Sequence, residues 1–181
     1  MKKILQTSLL ICILSISLFT ACGKVGVDIV ARTSVPPTTA VITLSTAIIG
    51  MIPSSTTINS YDITVTLPEG VTVKNATNPP ITDYGVVTAT GSASGSFVAA
   101  VYTAPTSTQA ATVKIHIVSV AGISAGDFCI VNCDITAGTS PTQSNFIPPR
   151  LDVATGFDAT TSSTVLGLEQ KLSLTSTVVL Q

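Results

Sequence analysis

The chain has no tryptophan and one histidine, and charged residues fill 9% of its 181 positions, where a soluble protein ordinarily carries about a quarter. Each shortage excludes something. A lone histidine, His116, cannot build a zinc site without cysteine or carboxylate ligands at suitable spacing, and the sequence offers none. The acids Asp127, Asp134, Asp152 and Asp158 are scattered and lack the D-x-D-x-D spacing of a dedicated calcium loop, so they read as solvated loop acids and no metal or cofactor is expected. Eight basic residues face nine acidic ones, and two of the lysines stand at positions 2 and 3. With no basic patch, nucleic acid is excluded as a partner. Aromatics make up only 4%, so the ring platform that sugar-recognising proteins present is poorly supplied. Helical periodicity and internal repeats are also missing.

What is present begins with an address. Lys2-Lys3 precede an apolar run from Ile4 to Phe19, too short to span a bilayer comfortably, and small residues come next. That is the layout of an export signal. Thr20-Ala21 is followed at once by Cys22, and this ending resembles the lipobox of bacterial lipoproteins. The resemblance implies a signal peptide over 1–21, cleavage before Cys22, lipidation of Cys22, and a lipidated tether over 22–37 that ends in Pro36-Pro37. One acyl chain holds a protein only marginally, whereas two or three make a stable membrane anchor. The expected location is the bacterial cell envelope, lipid-anchored in the outer membrane and either periplasmic or surface-exposed. An uncleaved or simply secreted signal, with Cys22 incidental, is the other reading.

Beyond the tether, Thr, Ser, Ala and Val dominate, giving a surface that is polar but hardly charged, as in exported envelope proteins, and one that a partner would partly cover. Period-two alternation recurs. In Tyr61-Asp62-Ile63-Thr64-Val65-Thr66-Leu67 the apolar set Tyr61, Ile63, Val65 and Leu67 predicts a half-buried strand. The Pro68-Glu69-Gly70 turn leads into Val71–Val73. Further strands are expected around Val41 to Thr46 and over Val86–Thr90, Phe97–Tyr102, Ala111–Val120, Phe128–Ile135, Asp152–Phe157, Thr164–Leu168 and Lys171–Leu180. Gly91 to Gly95 reads as a flexible connection. Only Ser140 to Phe146 would hold a helical turn, with Ser140 as N-cap and Pro141 at the first position. About nine short strands punctuated by Gly, Pro and Ser predict an all-β antiparallel sandwich over 38–181.

Tyr61 to Val71, the Gly126-Asp127 step opening a long apolar strand, Cys133-Asp134-Ile135 and Ser140 to Phe146 together resemble a cohesin-type module. The resemblance covers roughly residues 38–181 by eye and implies a nine-stranded jelly-roll sandwich shared with carbohydrate-binding modules. Cohesins that organise cellulase complexes usually stand in tandem on a scaffold, whereas this is one module on a lipid anchor, which puts a cellulosome role in doubt.

No catalytic constellation emerges. Gly122-Ile123-Ser124-Ala125-Gly126 fits the G-x-S-x-G pattern, but a nucleophile elbow needs a helix after the serine and a later histidine. The residues after Ser124 are strand-like, and His116 precedes it, sharing a face with Lys114 and Thr112 as a solvated residue. Cys129 and Cys133 share a strand face about 13 Å apart, beyond the reach of a disulfide of roughly 7 Å between Cα atoms. They are expected as two buried thiols, with a bulged segment that permits a bond as the alternative. Tyr61 and Phe97 sit in alternations that suggest burial, which leaves Tyr84 and Tyr102 as candidate ligand-contact rings. The leading reading is a non-enzymatic envelope lipoprotein whose cohesin-like module attaches a protein partner. A polysaccharide-binding module is the second, and a structural surface subunit assembling through strand edges is the third.

Overall fold

Among the described residues ten strands stack as two antiparallel sheets. In the computed structural model the described residues are 35–75 and 85–181, and Pro36–Gln181 forms one compact unit. The signal peptide, Cys22, most of the tether, the Pro79-Pro80 break and Tyr84 lie outside the described residues. Among the described residues no helix is long and apolar enough to cross a membrane.

The strands are β1 (Thr39–Ile48), β2 (Thr56–Thr66), β3 (Val71–Val73), β4 (Val87–Ala89), β5 (Phe97–Thr103), β6 (Thr112–Val118), β7 (Gly126–Ile135), β8 (Arg150–Asp158), β9 (Ser163–Val165) and β10 (Leu172–Leu180). The first sheet runs β10-β1-β7-β3, with β4 also paired to β7, and the second runs β5-β6-β2-β8-β9. The all-β antiparallel sandwich is therefore the fold, with ten strands among the described residues where about nine are expected. Strict alternation makes it. In β1 as far as Thr46, and throughout β6, every second side chain is buried, and the inner faces supply Ile42, Leu44, Ile63, Leu67, Val113, Ile115, Ile117 and Val131 to one core. Each such side chain contributes roughly 1.5–3 kcal/mol on burial. At the centre Tyr61 of one sheet meets Phe128 of the other, with ring centroids 5.1 Å apart and planes tilted by 58°.

Four local expectations are corrected. The Ser140–Phe146 segment holds a 3-10 turn at Gln143–Asn145 whose N-cap is Thr142, not Ser140; Thr142 N–H donates to Asn145 Oδ1 at 2.7 Å. Gly91–Ala93 is a second 3-10 turn with Ala93 fully buried, not a loose connection. Leu168 opens a third such turn, Leu168–Lys171, where strand is expected. Phe97 is 65% exposed. Phe-Val-Ala-Ala-Val-Tyr has apolar residues at both parities, so alternation alone cannot choose its inner face; the β5–β6 register turns Val98, Ala100 and Tyr102 inward and Phe97 and Val101 outward.

Candidate functional site

In a chain with so few charges, four charged side chains and the single histidine converge on the outer face of the second sheet. The alternation that buries Tyr61, Ile63 and Val65 points Asp62 and Thr64 outward on β2. Strand register then lines up their neighbours. Asp62 lies opposite His116 and Thr64 opposite Lys114 on β6, and on the other flank Thr64 lies opposite Arg150 on β8. Beyond β6, Val101 stands opposite Lys114 and Ala99 opposite His116. Two parallel rows result: Val101, Lys114, Thr64, Arg150 and Ala99, His116, Asp62, Val153. A register shift between Asp62 and Ile63 leaves Asp152 as the extra residue of β8, between the two rows. All of these but Thr64 line a cleft of about 420 Å³.

Inside the cleft the polar groups are tied to one another. His116 Nδ1 pairs with Asp62 Oδ1. Asp152 accepts from Thr64 Oγ1 at 2.6 Å and from Arg150 Nε. Partial desolvation would raise the Asp152 pKa, but the bonds from Thr64 and Arg150 and the charges of Arg150 and Lys114 outweigh it, holding the carboxyl below its ordinary value. Around the charged centre the face is apolar: Phe97, Val101, Val118, Val153 and Phe157 are all exposed. One row further along, Ser60 bonds Thr155 at 2.6 Å between β2 and β8.

His116 stands where the sequence puts it, exposed beside Lys114, but its partner Asp62 is 54 positions away in the chain. Only strand register brings the two together, and no local spacing announces it. Tyr102 does not reach the cleft. It lies on the inner side of β5, partly buried against the core, with its pKa raised by burial and by the nearby Cys133. Among the described residues the rings this face offers are Phe97 and Phe157.

Cys129 and Cys133 are buried free thiols on β7, facing Leu44 and Ala40 of β1. Burial pushes both pKa values up to about 12, with the Asp134 charge adding to the effect at Cys133. A thiol that keeps its proton is a poor nucleophile and a poor metal ligand. Ser124 is exposed in the β6–β7 connection, and the chain after it enters strand β7 with no helix, so it has none of the geometry of a nucleophile elbow. The scattered acids serve local bonds. Asp127 accepts from Ser45, Asp134 accepts from the Asn75 N–H at 3.2 Å, and Asp158 accepts from the Thr160 N–H at 2.8 Å. Among the described residues no three His, Cys, Asp or Glu side chains gather to hold a metal.

Set against protein-family models, curated proteins and solved structures, the chain matches none of them.

Proposed function

We propose that this chain is a non-enzymatic lipoprotein of the bacterial cell envelope, anchored in the outer membrane through Cys22, whose cohesin-like module attaches a protein partner on the outer face of the second sheet. One observation carries the partner assignment: five exposed apolar side chains, Phe97, Val101, Val118, Val153 and Phe157, share one face with the tied charges of Asp62–His116 and Arg150–Asp152. Protein interfaces combine apolar anchors with a polar surround in this way. A polysaccharide asks for exposed rings that lie side by side. Phe97 and Phe157 sit on β5 and β8, with β6 and β2 between them, roughly 14 Å across the sheet.

The test is capture from envelope extract alongside a panel of insoluble polysaccharides. The wild-type chain should retain a protein, and Phe97→Asp or Lys114→Glu should weaken that capture by at least about tenfold, the loss of a single interface anchor. Retention on a polysaccharide with no protein captured would overturn the partner assignment, as would capture indifferent to both substitutions. The anchor has its own readout. The wild type should incorporate labelled fatty acid and partition into the detergent phase, while Cys22→Ala should do neither.

A further inference from the structure

Each sheet has one short edge and one long one. The first sheet ends in three-residue β3 and β4 on one side and in nine-residue β10 on the other; the second ends in three-residue β9 and in seven-residue β5. Short strands are a usual way of blunting an edge, and so are charges, prolines and bulges. β10 has none of these. Leu172-Ser173-Leu174-Thr175-Ser176-Thr177-Val178-Val179-Leu180 has no charge and no proline, and its register with β1 runs unbroken from Ala40↔Leu180 to Ile48↔Leu172.

Hydrogen-bond parity shows which backbone groups of β10 are turned outward. Thr39 and Gln181 exchange both bonds, at 3.0 and 2.9 Å, and Lys171 C=O accepts from Ile49 N–H at 2.9 Å. Odd-numbered residues of the strand therefore face β1, and the N–H and C=O groups of Leu172, Leu174, Ser176, Val178 and Leu180 point to the other side, where no strand pairs with β10 among the described residues. One of these is already engaged: Val178 C=O accepts from Gln143 Nε2 at 2.8 Å. The side chain of Gln143 sits where an incoming strand would place its own N–H.

A row of backbone donors and acceptors takes an extended polypeptide, and the sequence of β10 says which one. Its pattern reads nearly the same in both directions about Ser176. In an antiparallel pairing across a two-fold axis, Ser176 meets Ser176, Thr175 meets Thr177, Leu174 meets Val178 and Leu172 meets Leu180; only Ser173 with Val179 is a mixed pair. Leu174 and Leu180, which pack against the core but are only partly covered, would lie against the second copy. The strand β5 lacks this symmetry, since self-pairing would set Phe97 against Thr103. We infer that β10 is a self-pairing edge through which two copies of this chain join their first sheets into one, with Gln143 as the side chain displaced. The contact is isologous and closes at a dimer, and it leaves the outer face of the second sheet out of the pairing.

Sedimentation equilibrium of the full chain in detergent micelles, over a series of concentrations, tests this. The chain should associate to a dimer. Ser176→Pro removes an N–H on the open side and leaves the ladder to β1 intact, and it should weaken the dimer at least tenfold. Gln143→Ala, which frees the Val178 carbonyl of both copies, should tighten it by about twenty-five-fold, fivefold for each ordinary hydrogen bond no longer displaced. Register is read separately by disulfide formation. Thr175→Cys mixed with Thr177→Cys should give a 175–177 link, identified by peptide mass, while neither variant alone links to itself through β10. A chain that stays monomeric throughout overturns the inference. So does a dimer that lacks the 175–177 link, whether or not Ser176→Pro folds.

Discussion

Phe128 stands where the regular alternation of β7 breaks. Leu44 pairs with Cys129 but Ser45 pairs with Asp127, so Phe128 is the extra residue of a bulge, and Phe128 and Cys129 are consecutive and both fully buried. The bulge is supported from outside the ladder. Phe128 C=O accepts from the Thr90 N–H at 2.9 Å, and Ser92 Oγ donates to Asp127 C=O at 3.2 Å. Gly91 is required there, because its φ is +49° and a Cβ would come within 2.2 Å of the Asp127 carbonyl oxygen. The bulge turns the Phe128 ring onto Tyr61, and the two make the only ring–ring contact across the sandwich among the described residues. Phe128→Ala should therefore lower stability by about 3–5 kcal/mol, the usual loss for a large aromatic in a core that cannot collapse around the gap. Tyr61→Phe should lose about 1 kcal/mol or less, since its hydroxyl meets Thr46 Oγ1 only at 3.5 Å. Urea unfolding of both variants checks the contrast. Equal losses would mean that the hydroxyl, and not the ring contact, holds the two sheets.

At the scale of elements, legibility follows the physics of alternation. Strands β2, β3 and β6 are readable because one parity is largely apolar and the other largely polar, β7 because its apolar run is long, and all are helped by Pro68-Gly70 and the Gly126-Asp127 step that punctuate them. β5 is readable as a strand but not as to its faces, so the sequence suggests Phe97 inside and Tyr102 outside, the reverse of what the β6 pairing dictates. Short 3-10 turns leave weaker marks still. Ser140-Pro141 has the composition of a helix start, yet the turn begins after Thr142 because Asn145 is in reach of the Thr142 backbone. The cleft is illegible for a deeper reason. Asp62, His116, Arg150 and Asp152 are adjacent only after β2 is placed between β6 and β8, and strand order is a property of long-range pairing, which no local window contains. The same limit hides the openness of the β10 edge, although the near-palindrome that makes it self-complementary is plain in the sequence.

For the molecule as a whole, sparse charge makes stability depend on pH mainly at the alkaline end. On the acid side Asp152 and Asp158 have pKa values lowered from 3.8. Their contribution is present above that value and is lost as pH falls through the folded values; both groups are largely solvated, so the acid loss is small. The thiols act in the opposite sense. Cys129 and Cys133 hold their protons up to about 12 in the folded chain, against 9.0 when unperturbed. Between those values the folded state binds more protons than the unfolded one, so stability is full below pH 9 and declines as pH rises, by about 1.4 kcal/mol per pH unit for each thiol. Tyr61, whose pKa burial raises from 10.0, adds to the decline above that point. Urea midpoints should be flat from pH 5 to 8 and fall steeply above 9. The Cys129→Ala/Cys133→Ala double variant should start lower at pH 7, because two small core groups are lost, but stay nearly flat to pH 10, beyond which Tyr61 and Tyr102 remain. An unchanged alkaline slope in that variant would place the proton release outside the core, and would mean that the thiols open to solvent well before the sandwich unfolds.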